Sequence, residues 1–178
     1  MNALVVYESV YGNTRAVAEA IAAGLGGAEV VAVAEAPSRI DDLDLVVAGG
    51  PTHMHGMAAT RSRQMAVEAV HEDGTGHVEP HASDEPGLRA WIRELSTGAG
   101  VRAAAFDTRA DKAAWLTGAA SRGIATRLRH RGCELLGTES FLVEASEGPL
   151  EQGELERASA WGAELAASVA AAVPEVTR

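Results

Sequence analysis

The chain has 178 residues, 47% hydrophobic but only 4% aromatic, with one cysteine and a formal charge of −10 at neutral pH. That length suits a single domain over 1–178 with a full core, and the charge argues against a nucleic-acid backbone as partner. Cys133 has no intrachain disulfide partner, and no run nears the roughly 20 apolar residues of a membrane span. The first residues enter a strand pattern without a charged leader and cleavage site, so a soluble cytoplasmic protein is expected.

Taken in chain order, Ala3 to Tyr7 reads as a buried strand, and Thr14 to Leu25 as a helix with Val17, Ala18, Ile21, Ala22 and Leu25 on one apolar stripe. Between them lie Ser9, Val10, Tyr11, Gly12 and Asn13. A strand, a turn of hydroxyl, glycine and amide residues and then a helix build an anion site. The first amides of a helix have no intrahelical partners, and the peptide dipoles leave roughly half a positive charge at that end. Gly12 permits close backbone approach, while Ser9, Tyr11 and Thr14 add hydroxyls. This turn is not a P-loop, because no Gly-x-x-x-x-Gly-Lys-Ser/Thr occurs and the only lysine is Lys112. Nor is it a dinucleotide fingerprint, since Gly24-Leu25-Gly26-Gly27 lies at the helix's far end, where glycines serve as caps.

Further strands are expected at Glu29 to Val33, Leu43 to Ala48, Val101 to Phe106 and Glu134 to Val143, with helices at Ala58 to Val70, Gly87 to Ser96, Ala119 to Arg131 and Glu151 to Val173. In the last helix Trp161 falls on the apolar stripe and reads as packing. Apolar strands without strict alternation, separated by helices, predict an α/β protein with a doubly wound parallel sheet of five strands covered on both faces. Residues 71 to 86 interrupt the pattern as a polar insertion. Its His71, His77 and His81 have no register that fixes a metal site, and it is read as a surface segment. Cys133, where a helix turns into a strand, is read as a buried structural thiol.

Ligands of such sheets bind at the strands' carboxyl ends, near the switch in strand order. The loops there are Glu8 to Asn13, Gly49 to Met57 and Asp107 to Gly118, the least connector-like stretches of the chain. The charge is also uneven. From Arg131 to Arg157 no lysine or arginine intervenes among Glu134, Glu139, Glu144, Glu147, Glu151, Glu154 and Glu156, just after a cluster of Arg122, Arg127, Arg129 and Arg131. The acidic run reads either as a solvated face or as a docking surface for a basic partner.

Across nearly its whole length the chain resembles the flavodoxin family. Ser9-Val10-Tyr11-Gly12-Asn13-Thr14 is similar to the family's Ser/Thr-x-Thr-Gly-x-Thr phosphate loop. Gly49-Gly50-Pro51-Thr52 and Phe106-Asp107-Thr108-Arg109 stand where flavodoxins clasp the isoalloxazine ring. The resemblance implies a flavodoxin-like sheet of order 2-1-3-4-5 and bound FMN, its phosphate on the first loop. The ring would lie between Pro51, Thr52, His53, Met54, His55 and Gly56 on one side and Phe106, Asp107, Thr108, Arg109 and Trp115 on the other. It implies no catalytic residue and no metal, because the flavin carries the chemistry.

Two departures stand out: Val10 and Tyr11 replace the usual threonines, and His53 or Met54 takes the place of a ring-covering tryptophan. The first expectation is an FMN electron carrier serving a reductase donor and an acceptor protein. The alternatives are an NAD(P)H-dependent quinone reductase and a flavin-free module that only binds partners. The quinone reductase is suggested by the likeness of Pro51-Thr52-His53-Met54-His55-Gly56-Met57-Ala58 to the Pro-Thr-Arg-Phe-Gly-Asn-Met-Ala loop of the tryptophan-repressor-binding-protein type of that enzyme.

Overall fold

The computed structural model describes residues 1–53, 56–58, 64, 68, 78–79, 82, 86–98, 100–111, 118–145 and 147–172. In chain order the elements are β1 (Ala3–Tyr7), α1 (Asn13–Gly24), β2 (Glu29–Ala32), β3 (Leu45–His53), β4 (Gly56–Met57), α2 (Leu88–Glu94), β5 (Arg102–Ala110), α3 (Ala120–His130), β6 (Glu134–Val143) and α4 (Glu154–Ala171). Five strands pair in parallel in the order β2-β1-β3-β5-β6, and the short β4 folds back antiparallel on the end of β3. Without β4 this is the order 2-1-3-4-5 expected from the flavodoxin resemblance. The expected helix from Ala58 to Val70 and the bulk of the 71 to 86 insertion lie outside the described residues.

Successive side chains on a strand point to opposite faces, so each strand feeds two cores. Leu4, Val6, Val46, Ala48, Ala103 and Ala105 join Leu88, Trp91 and Ile92 of α2 and Ile124 and Leu128 of α3 on one face. Ala3, Val5, Leu45, Val47, Ala104 and Phe106 meet Val17 and Ile21 of α1 and Ala158, Leu165 and Val169 of α4 on the other. Trp161 packs against this second core and stacks edge-on to Phe141. Cys133 is buried, and burial pushes its thiol up. Helices α1 and α4 approach closely because Gly24 and Gly162 let their backbones touch. A Cβ on Gly24 would run into the Ser159 carbonyl, and one on Gly162 into that of Ile21.

The central strands run further than sequence patterning indicates. β3 continues through Gly49, Gly50, Pro51 and Thr52, pairing as far as Pro51 opposite Thr108 of β5. β5 continues to Ala110 beside β6. The expected end of β3 at Ala48 is therefore corrected, as is the loop expected from Asp107 onward, which begins only after Ala110. Gly-Gly-Pro looks like a connector, but the Phe106 ring fills the space that a side chain on Gly49 would take. Past Gly49, where its pairing with β1 stops, β3 pairs with β5 through Pro51, and past Thr108 the β5 end pairs with β6 alone.

Candidate functional site

The carboxyl ends of β1, β3 and β5 lie side by side, since Tyr7 pairs with Gly49 and Gly49 with Phe106. Three of the helices begin there, and their orphan amides are treated in different ways. At α2, Leu88 N–H donates to Glu8 Oε2 at 2.7 Å, the carboxylate coming from the end of β1. At α3, Ala120 N–H donates to Thr52 Oγ1 at 2.9 Å and Ser121 N–H to Asp107 Oδ2 at 3.1 Å. Thr52 Oγ1 in turn donates to Asp107 Oδ2 at 2.8 Å, so residues at the ends of β3 and β5 cap a helix that has no cap of its own.

Helix α1 differs. Its N-cap is Gly12, at φ 89°, with no side-chain cap bond. Gly12 N–H donates to Ser9 Oγ at 3.1 Å, and the first intrahelical bond runs from Ala16 N–H to the Gly12 carbonyl. Among the described residues nothing accepts from the N–H of Asn13, Thr14 or Arg15. Those three donors and the positive end of the helix dipole lie at the switch in strand order, where β1 is flanked by β2 and β3.

The loop is rigidly seated. Val10 and Thr14 are buried, Thr14 Oγ1 lies 2.7 Å from Thr108 Oγ1 of β5, and Asn13 Nδ2 donates to the Glu147 carbonyl at 2.9 Å. Ser9 Oγ accepts from Gly12, which leaves its proton to donate. Tyr11 is partly exposed at the rim, its phenol pushed up by burial and by the Glu147 charge.

The other named residues divide. Pro51 and Thr52 are strand residues, Thr52 serving as a helix cap. Gly56 pairs with His53 at the turn-back onto β4. Asp107 is fully buried, and among the described residues its Oδ1 has no hydrogen-bond partner. Arg109 is half-buried and donates to the Ala110 carbonyl. Phe106, expected in the segment that clasps the flavin, turns its own ring into the core, fully buried against Gly49 and edge-on to Phe141, with centroids 6.3 Å apart. The His53 side chain, Met54, His55 and Trp115 lie outside the described residues, as do His71, His77 and His81.

Glu79 is a site residue for which the sequence offers no signal, since it reaches the first loop from 64 residues beyond Arg15. Its N–H donates to the Val10 carbonyl at 2.9 Å, and its Oε2 accepts from Arg15 Nη1 at 3.3 Å. Oε1 lies so close to Gly12 that a Cβ there would stand 3.1 Å from it. Hydrogen bonds to Glu19 and then to Glu79 push the Arg15 guanidinium further into its charged form. Glu8 is the other residue whose role the sequence hides, although an acid closing a buried strand is itself a cue for a buried partner.

The acidic run is less free than its composition implies. Arg157 bonds Glu139 at 2.8 Å, Glu154 at 2.6 Å and the Ser140 carbonyl, and lies 4.5 Å from the centre of the Phe141 ring. Burial alone would raise the Glu154 carboxyl, but the Arg157 hydrogen bonds, the Leu142 N–H and the Arg157 charge outweigh it and hold the carboxyl low. A carboxyl lower in the folded than in the unfolded chain contributes stability above its unfolded value, and that contribution is lost as pH falls through the folded value. Glu154→Gln is therefore expected to cost about 1 kcal/mol at pH 7, discounted because Arg157 is 40% exposed, and to flatten the loss of stability below roughly pH 4.5. Urea midpoints from pH 7 to about pH 3 check both effects.

The strand order and the helices on both faces define a flavodoxin-like α/β fold, with the β1–α1 turn at its switch point. Residues 4–62, which hold that turn, match the family model described as Flavodoxin domain, in agreement with the resemblance read from the sequence. No curated protein matches the chain. Among solved structures it is similar to a flavodoxin from the domain Archaea, at TM-score 0.59 and 18% identity over 96% of this chain and 99% of that one. It is similar also to oxidised Flavodoxin 1 from Bacillus cereus, at 0.59 and 18% over 92% and 96%. Two-electron reduced Megasphaera elsdenii flavodoxin matches at 0.51 and 20% over 91% and 98%. At these identities the structural likeness is one of fold.

Proposed function

We propose that the chain is an FMN-binding electron carrier of the flavodoxin type, passing electrons between redox partner proteins. The observation that carries this reading is the first turn of α1. Its amides are left open among the described residues, whereas α2 and α3, beginning at the same sheet edge, are capped by Glu8, Thr52 and Asp107. A terminal phosphate fits that end. Asn13, Thr14 and Arg15 would donate backbone N–H groups, Ser9 a hydroxyl, and Gly12 would permit the approach.

Bound there, FMN supplies the electron chemistry. The protein's own part is to hold the phosphate, to fix the β3 and β5 ends through the Thr52–Asp107 pair, and to present a charged rim to partners. Glu144, Glu147 and Glu156 are exposed on the acidic side and suit docking to a basic partner. None of the described helices is long and apolar enough to cross a membrane.

With NADPH and a quinone in air, the FMN-loaded protein is expected to turn over only when a separate flavoprotein reductase is added. Turnover without one would make it an NAD(P)H:quinone reductase. Failure to take up FMN would leave a flavin-free partner-binding module.

A further inference from the structure

We infer that Glu79 is a specificity determinant of the α1 site, its carboxylate competing with a ligand's phosphate so that the site prefers FMN over unphosphorylated riboflavin only weakly. This rests on the flavin reading above. The Glu79 backbone is tied to the first loop through the Val10 carbonyl, and Ala82 N–H closes a turn onto the Glu79 carbonyl at 3.0 Å. The side chain, only 11% exposed, lies along Gly12, immediately before the three open amides. An anion near a helix N-terminus is stabilised there, so the protein supplies part of that anion itself.

A phosphate arriving at the same amides meets two obstacles. It faces a like charge at close range, and it finds Arg15, the cation of the first turn, already paired with Glu19 at 2.8 Å and with Glu79. Both obstacles act on the phosphate alone. Riboflavin, which carries the same ring and ribityl chain without the phosphate, is indifferent to them. Glu79 thus sets the phosphate's share of the total affinity, while the ring loops set the rest.

The test is fluorescence titration of the full chain with FMN and with riboflavin, for wild type, Glu79→Gln and Glu79→Asp, with circular dichroism as the check on folding. Glu79→Gln is expected to tighten FMN on the order of tenfold and to leave riboflavin unchanged. Glu79→Asp keeps the charge but retracts it by one methylene and is expected to fall between. FMN affinity that is unchanged or weaker in Glu79→Gln, with wild type binding FMN, overturns the inference and leaves the flavin reading standing. Equal changes for FMN and riboflavin overturn it as well. If no variant binds either flavin, the inference and the flavin reading fall together.

Discussion

Gly49→Ala is expected to destabilise the protein by about 3 kcal/mol, the upper end for overpacking a core. The new methyl would land on the Phe106 ring, well inside contact distance. Phe106 is fully buried and cannot swing clear, because Phe141 stands against it at 72° and Trp161 backs Phe141 at 61°. Only movement of β3 against β5 would relieve the clash, at the expense of the ladder that carries Pro51 and Thr108 to the site. Urea denaturation measures the loss. The double variant Gly49→Ala/Phe106→Leu is expected to recover part of it, since the two residues share one volume and their effects do not add. A Gly49→Ala midpoint equal to wild type would mean that the ring does not fill this space.

The second large effect concerns Asp107, where two substitutions are expected to part company. Asp107→Ala removes the acceptor for Thr52 Oγ1 and for Ser121 N–H, inside a fully buried site. Leaving two buried donors without an acceptor costs about 1–3 kcal/mol each, so a loss of about 3 kcal/mol is expected, concentrated at the start of α3. Asp107→Asn keeps an oxygen for both donors. Its amide nitrogen would take the place of Oδ1, which has no partner among the described residues and so loses no bond to them. That variant is expected within about 1 kcal/mol of wild type. Thermal or urea unfolding of both variants decides the matter, with hydrogen exchange at Ala120 and Ser121 to localise the effect. If Asp107→Asn is as damaging as Asp107→Ala, a charge rather than an acceptor is required at the end of β5.

These two residues also mark where the sequence ceased to be informative. The bounds of β1 and β6, the amphipathic α1 and the turn before it were legible because each rests on local patterning: a run of Val and Leu, a stripe at helical spacing, a glycine before a helix. The strand order, by contrast, came from the family resemblance. Gly49 reads as a loop residue because the ring that fills its side-chain space lies 57 positions away at Phe106. Asp107 is placed among the ring-clasping residues by the family resemblance, and nothing near it in the chain announces a helix to cap. Only the fold reveals that α3 begins within reach. Phe106 stands in the same segment on that resemblance, although the alternation along β5 points its side chain into the core beneath α1 and α4. Glu79 was invisible, since nothing near it in the chain indicates the first loop.

The central claim, that the open end of α1 holds the phosphate of FMN, is tested most directly by phosphorus NMR of the purified protein titrated with FMN. The account predicts stoichiometric uptake, with the bound phosphate resonance displaced from that of free FMN and showing no monoanion–dianion change near neutral pH, as expected for a phosphate held by backbone amides. A bound flavin whose phosphate keeps the shift and titration of free FMN, or no uptake at all, would contradict it.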